Sequence, residues 1–239
     1  MVFRKCGKVV IVFKNKKIVG MIPARYGSKR VKQKNLRLIN NKPLIHYVID
    51  AAKGSELLTD VYVNTENDII GNIAVKEGIK YYKRDPSLAT DNATLDQFTY
   101  DFIKGTNHDV LVMINPICPF TESMDIDNVI RFFLENNYDT VITVLEKKLQ
   151  SFCNGKPVNF DISGMLPKTQ DIHPVQICTW AVCVWQAKTF IESYEKNGHA
   201  VFSGKLGFYP LGFPKSIKIS DEEDFLLAEK TLGLDGDEK

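Results

Sequence analysis

A mostly parallel α/β fold is the class this sequence predicts, and three observations predict it. Short apolar runs rich in β-branched residues alternate with segments of helical period, the pattern of successive βαβ units. The 239 residues, 44% of them hydrophobic, are enough to bury one sizeable core without a second domain. A cationic turn follows the first buried-strand pattern, where open α/β sheets take their ligands, beyond the carboxyl ends of strands.

Taken in order, residues 1–16 read as an N-terminal extension or extra strand and 17–239 as the domain. The apolar stretch 9–13 is too short for a signal-peptide core or a membrane span, so no membrane partner is expected. Residues 18–22 form a buried strand that stops at Pro23. The loop after it carries Arg25, Lys29, Arg30, Lys32, Lys34 and Arg37 with no acid among them, and Gly27 and Ser28 mark its tight bend. In 43–52, Leu44, Ile45, Val48, Ala51 and Ala52 share one helical stripe, with His46 as a helix-surface or packing histidine. Strands at 61–63 and 79–82 flank a helix at 69–75. A turn-rich segment, 84–94, opens a helix at 95–103 that Asp91 or Thr94 caps.

Residues 110–114 are a buried parallel strand ending in Asn115-Pro-Ile-Cys-Pro-Phe-Thr121, and a helix at 125–135 and a strand at 140–145 follow. Periodicity then breaks. Segment 146–176 holds Asn154-Gly155 and three prolines, which predicts an extended, hairpin-like arm. A strand at 181–185, a helix at 188–195, a strand at 205–210 and a helix at 221–229 with a Ser220/Glu223 capping box complete the chain.

Six cations that close repel one another unless an anion sits between them. A nucleoside triphosphate is the natural candidate, because turn N–H groups and cationic side chains together cradle phosphate oxygens; a solvated surface loop is the alternative on charge alone. Neither a G-x-x-x-x-G-K-[ST] nor a G-x-G-x-x-G motif is present, which argues against a P-loop NTPase and a dinucleotide dehydrogenase. The net charge of +2 conceals an asymmetry, since residues 1–49 hold 13 Lys or Arg and no acid. A nucleic-acid-binding arm would explain that, but aromatic residues do not interleave with the basic ones, so no nucleic acid is expected as a partner. The five cysteines, 6, 118, 153, 178 and 183, form no C-x-x-C pair and predict a reduced, cytoplasmic protein.

The run Ile22-Pro-Ala-Arg-Tyr-Gly-Ser-Lys29, continuing to Lys34-Asn35-Leu36, resembles the sugar-acid cytidylyltransferases. Its Ser28-Lys29 and Lys34-Asn35 pairs resemble the N-acylneuraminate (CMP-sialic acid) branch, with the CMP-Kdo branch as near neighbour. The resemblance implies a Rossmann-like nucleotidyltransferase domain with a mostly parallel mixed sheet and a protruding dimerisation arm. It implies CTP and a 2-keto-3-deoxy sugar acid as substrates, Mg²⁺ or Mn²⁺ as cofactor, and a homodimer. Arg25, Ser28, Lys29 and Lys34, with Ala24 and Gly27, would hold the triphosphate. Ala89, Thr90, Asp91 and Asn92 would lie against base and ribose, and Asn115 would place its amide at the nucleotide. Lys168, with Gln170 beside it, would reach a partner's site on the exchanged arm. Thr121 stands where the family commonly has Arg, and Cys118 where it has a hydroxyl.

The family typically holds its metal on an Asp-Ile-Asp motif, and here Lys218 and Ser220 occupy the two acidic positions. Three outcomes are open. Asp221 or Asp224 takes the metal; Lys218 neutralises phosphate while metal rides on the triphosphate; or the activity is lost or shifted to another substrate. Arg25, Lys29 and Lys218 are the expected catalytic residues for in-line attack of the anomeric hydroxyl on the α-phosphorus. Alternatives are a CMP-Kdo, sugar-phosphate or polyol-phosphate cytidylyltransferase, or a non-catalytic CTP-binding homologue.

Overall fold

The computed structural model describes residues 16–28 and 30–234; the expected extension therefore lies outside the described residues except for Lys16, and so does Lys29. β1 (Ile18–Pro23) is buried through its first five residues. A short hairpin that sequence reasoning missed follows, β2 (Leu38–Ile39) paired with β3 (Lys42–Pro43), with Asn40 and Asn41 both at positive φ in its turn. Asparagine tolerates that conformation better than most residues.

Pro43 leads into α1 (Leu44–Lys53), whose Leu44, Ile45, Val48, Ile49, Ala51 and Ala52 are buried. β4 (Asp60–Thr65) is followed by α2 (Asp68–Lys76), capped by the Asn67 side chain, and then by β5 (Lys80–Lys83). α3 (Leu95–Gly105) begins with a Thr94/Gln97 capping box, so Thr94 rather than Asp91 is its cap. β6 (Val110–Ile114), α4 (Ser123–Glu135) and β7 (Thr140–Lys147) follow.

The excursion after β7 contains a hairpin of β8 (Phe152–Cys153) and β9 (Lys156–Pro157), turned at Asn154 and Gly155, both at positive φ. The chain returns through β10 (Val175–Gln186), which starts six residues before the expected strand at 181 because its first half continues the ladder with β7. α5 (Ala187–Asn197), β11 (Leu206–Pro210) and α6 (Glu222–Leu234) complete the described fold.

Seven strands form one sheet in the order β11-β7-β10-β6-β1-β4-β5, in which β10 runs antiparallel to both its neighbours and every other pairing is parallel. Strand residues alternate between two cores. Val110, Val112 and Ile114 face α1, α2 and α4, while Leu111 and Met113 face α3 and α5. A third cluster joins Val31, Ile39 and Leu44 to Ile217, Ile219 and Phe225, and so fastens the basic loop to the C-terminal segment. Arg37 strengthens that seam, donating to Glu222 Oε1 at 2.6 Å while its guanidinium lies 3.8 Å from the Phe225 ring centre. Among the described residues no helix is long and apolar enough to cross a membrane.

Candidate active site

The chain leaves β1 toward β4 and β5 on one side and resumes at β6 on the other, so the strand order reverses between β1 and β6. Such a switch point leaves a crevice at the strand carboxyl ends. Here Pro23 and Asn115, at the ends of β1 and β6, open a cleft of about 410 Å³ whose lining includes Arg25, Arg30, Arg84, Leu95, Phe98, Met113, Trp180 and Lys218. A second lobe of about 200 Å³ shares Arg25, Arg30 and Asn115 and adds Ser28, Lys34 and Asn35. Among the described residues five cationic side chains line the two lobes and no carboxylate does.

The cationic lobe is held by long-range bonds. Asn35 Nδ2 donates to the Arg25 carbonyl at 3.0 Å, which draws the two ends of the loop together. Lys34 is buried and donates from Nζ to the carbonyls of Ile219 at 2.7 Å and Ser220 at 3.4 Å. Burial pulls its pKa below the ordinary 10.5, the nearby Arg30 and Lys218 charges act the same way, and Asp224 and Asp221 oppose them. Lys34 is therefore a charge that gains from an incoming anion. Arg25 pairs with Asp91 Oδ1 at 2.8 Å, joining the loop to the segment before α3.

Arg84 is a residue that sequence reasoning left out of the site. It is almost fully buried, donating from Nε to Asn64 Oδ1 at 2.8 Å and from Nη2 to the Asn64 carbonyl at 2.9 Å, with the Phe98 ring centre 4.4 Å from its guanidinium carbon. Burial pushes its pKa down to about 10, against the supporting charges of Glu66 and Asp101, and Arg25 lowers it further. It remains cationic at neutral pH. Its signal in the sequence was an arginine directly after a strand, in a segment expected to meet the nucleotide.

Trp180 is the other omission. Between the pairs Cys178↔Val144 and Cys183↔Ile142, β10 advances five residues while β7 advances two, so β10 bulges. The bulge is pinned on several sides. Thr179 Oγ1 donates to the Thr143 carbonyl at 3.0 Å, Val182 N donates to Thr143 Oγ1 at 3.1 Å, and Asn115 N donates to the Ala181 carbonyl at 2.9 Å. Trp180 stands within it at φ 60°, a left-handed conformation that costs a bulky residue about 1–3 kcal/mol. Its indole lines the cleft and meets the Phe202 ring edge-on at a centroid distance of 5.8 Å. No glycine, proline or asparagine marks this bend in the sequence.

Several expected site residues are placed elsewhere. Ala24 is fully buried and its N–H is bonded to the Asn64 carbonyl at 3.0 Å, so it continues the sheet rather than offering a donor to phosphate. Gly27 is not at positive φ, lies outside the lining of both lobes, and a Cβ there would meet nothing within 4 Å, so the fold itself does not demand glycine. Ala89, Thr90, Asp91 and Asn92 lie outside the lining set; Ala89 ends a 3₁₀ turn begun by Pro86, and Thr90 Oγ1 donates to the Ser87 carbonyl at 3.2 Å. Lys168 and Gln170 are exposed on the excursion after β7, where the Gln170 carbonyl accepts from Lys148 Nζ at 2.8 Å. Thr121 is buried, outside the lining, with a hydroxyl that has no hydrogen-bond partner among the described residues. Cys118 is buried too, and desolvation pushes its thiol up to about 12 despite Lys218 and Lys34 nearby, so it stays protonated.

Asp221 and Asp224 act as helix caps. Asp221 Oδ1 accepts from Asp224 N at 3.0 Å and Asp224 Oδ2 accepts from Ser220 N at 2.7 Å, so the capping pair sits one residue later than the expected Ser220/Glu223 box. No group of three or more His, Cys, Asp or Glu among the described residues could hold a metal. With Lys34 and Lys218 lining the cleft, the described residues do not fit a protein-held divalent cation.

A cytidylyltransferase family model matches residues 19–158. The chain is 34% identical over 231 residues to N-acylneuraminate cytidylyltransferase of Escherichia coli O18:K1:H7, covering 89% of this chain and 51% of that protein. It is 28% identical over 234 residues to CMP-N,N'-diacetyllegionaminic acid synthase of Legionella pneumophila, covering 91% and 97%. The chain spans about half the length of the N-acylneuraminate cytidylyltransferases it matches. A solved structure of CMP:2-keto-3-deoxy-manno-octonic acid synthetase complexed with CTP superposes with a TM-score of 0.69 at 13% identity, covering 92% of this chain and 99% of that one, a likeness of fold.

Proposed function

The chain belongs to the cytidylyltransferase family, and from that premise we propose that it transfers a cytidylyl group from CTP to a 2-keto-3-deoxy sugar acid of the nonulosonate class, releasing pyrophosphate. The observation that carries this reading is the acid-free lining of a switch-point cleft by Arg25, Arg30, Lys34, Arg84 and Lys218. Two anionic substrates have to meet there, a triphosphate and a carboxylate, and that lining complements both.

In this reading the anomeric hydroxyl oxygen attacks the α-phosphorus. The bond from that phosphorus to the bridging oxygen of the leaving pyrophosphate breaks, and the hydroxyl proton passes to solvent. Arg25, Ser28 and Lys34 hold the triphosphate, and Lys29 is assigned to the same loop. Lys218 faces the reacting phosphate and stabilises charge that grows as the leaving group departs. Positioning supplies most of the remaining acceleration. A divalent cation, were the reaction to use one, would enter with the nucleotide, since Lys34 and Lys218 rather than carboxylates line that part of the cleft.

The exposed apolar side chains of the excursion after β7, Phe152, Val158, Ile162, Met165 and Leu166, support a homodimer in which this segment packs on a second copy and carries Lys168 and Gln170 toward it. Buried thiols such as Cys118 and Cys183 suit a cytoplasmic setting.

Pyrophosphate release with CTP and a panel of 2-keto-3-deoxy sugar acids tests the proposal, with the CMP-sugar identified by mass. Release only with CTP and a nonulosonate is the expected result, and silence with every acid overturns it. A second reading, a CTP-binding homologue without turnover, is favoured by Lys218 and Ser220 in place of the family's acids. It predicts tight CTP binding and no CMP-sugar.

A further inference from the structure

We propose that Trp180 sets the size of the acceptor end of the cleft and selects among sugar acids by the bulk of their substituents. The inference rests on the function proposed above. The two ends of the cleft lie on opposite flanks of the switch point. Arg84 follows β5 and is bound to Asn64 of β4, and the function proposed above puts the nucleotide on this side with the cationic loop of β1. Trp180 belongs to β10, beyond β6 on the other flank. Four strand spacings separate β5 from β10 in the sheet, roughly 19 Å at the usual inter-strand distance. A nucleotide anchored at β1 and turned toward β4 leaves the β6–β10 side to the acceptor.

Three observations make the indole a working surface and not incidental packing. It occupies a backbone conformation that glycine or asparagine adopts freely and tryptophan does not. The bulge that holds it is bonded through Thr179, Ala181 and Val182, so the strain is maintained by the surrounding structure. Trp180 is only half-buried: it packs against the core on the α3–α5 face and also lines the cleft beside Met113 and Phe98, with Phe202 edge-on to its ring. Bulges next to active sites commonly re-aim a side chain in this way. The result is an apolar wall at one end of an otherwise cationic cleft, suited to the apolar part of an acyl substituent and limiting its length.

The test compares wild type with Trp180→Gly, which relaxes the backbone and opens the wall, and Trp180→Phe, which keeps a ring but shortens it. Each is assayed with sugar acids carrying a hydroxyl, an acetamido or a larger acylamido group, and CTP affinity is measured separately by calorimetry. We expect the kcat/KM ratio of the largest to the smallest acceptor to rise about tenfold or more in Trp180→Gly, the scale of one or two methylenes in an apolar pocket. Trp180→Phe should fall between, and the CTP Kd should stay within about twofold by the same reasoning. An unchanged ratio in both variants overturns the inference. So does a tenfold or greater weakening of CTP binding, which would make the indole a nucleotide contact. Absence of turnover by the wild type with every acceptor overturns the functional reading itself and this inference with it.

Discussion

The two lobes of the cleft are built in different ways. The cationic lobe draws Arg25, Ser28, Arg30, Lys34 and Asn35 from one stretch of chain, and residues 115–117 after β6 close it. The aromatic end draws Leu95 and Phe98 from α3, Met113 from β6 and Trp180 from a bulge in β10. The first is a charge density written locally, which the fold has only to tether. The second exists only once three distant segments are packed, and its key residue is held in a conformation its own chemistry disfavours. The positive charge of the first lobe therefore survives many changes elsewhere, whereas the shape of the aromatic end depends on the fold being intact.

Four measurements would break or sharpen that contrast. The largest effect is expected from Phe225→Ala, since Phe225 is buried in the cluster that fastens the basic loop to the C-terminal segment. Removing the ring should cost about 3–5 kcal/mol of stability by denaturant unfolding. A loss under 1 kcal/mol would show that the cationic lobe does not need this tether.

Lys218→Ala comes next. Turnover should fall about 10²- to 10³-fold with little change in CTP affinity, the signature of a donor that acts in the transition state. If kcat holds and only the CTP Kd changes, Lys218 belongs to ground-state binding alone.

A smaller effect is expected from pH. Lys34 has its pKa lowered chiefly by burial, and bound polyphosphate favours the protonated form. CTP affinity should therefore be full at neutral pH and fall as pH rises through a value below 10.5, with a total loss of about tenfold for one charge-assisted contact. The same lowered pKa has a consequence for stability, because the unfolded chain holds this proton more tightly. The apo fold should gain stability as pH rises through that window and carry the full penalty below it. Calorimetric CTP titrations of wild type and Lys34→Met across alkaline pH check the binding arm; identical profiles would remove Lys34 from phosphate contact.

The smallest is Asp221→Ala, which should cost about 1 kcal/mol as a lost cap and leave the divalent-cation dependence of turnover unchanged. A sharply raised Mg²⁺ requirement would return Asp221 to the metal.

Much of the scaffold was legible because apolar periodicity is a local signal. The strands at 18–22 and 110–114, the helices they alternate with and the Asn154-Gly155 turn all appear where the pattern placed them. The lining of the cleft was legible wherever charge or motif resided in one stretch, as with Arg25, Ser28 and Lys34. Some of the expected site residues have a second use that the sequence did not show. Asp221 and Asp224 carry oxygens suited to a cation, but the free N–H groups at the start of α6 claim them first. Ala24 stands inside the motif, yet its N–H is taken by Asn64 across the sheet.

By itself the amino-acid order determined the βαβ alternation, the family, and the concentration of positive charge behind β1, because each depends on neighbours in the chain. Only the tertiary structure decided that Lys34 would be buried against the carbonyls of Ile219 and Ser220, that Arg84 would be held over Phe98, and that Trp180 would face the cleft. Those placements join residues as many as 186 positions apart, through desolvation and hydrogen bonds that arise only when the sheet and the C-terminal segment close on the loop.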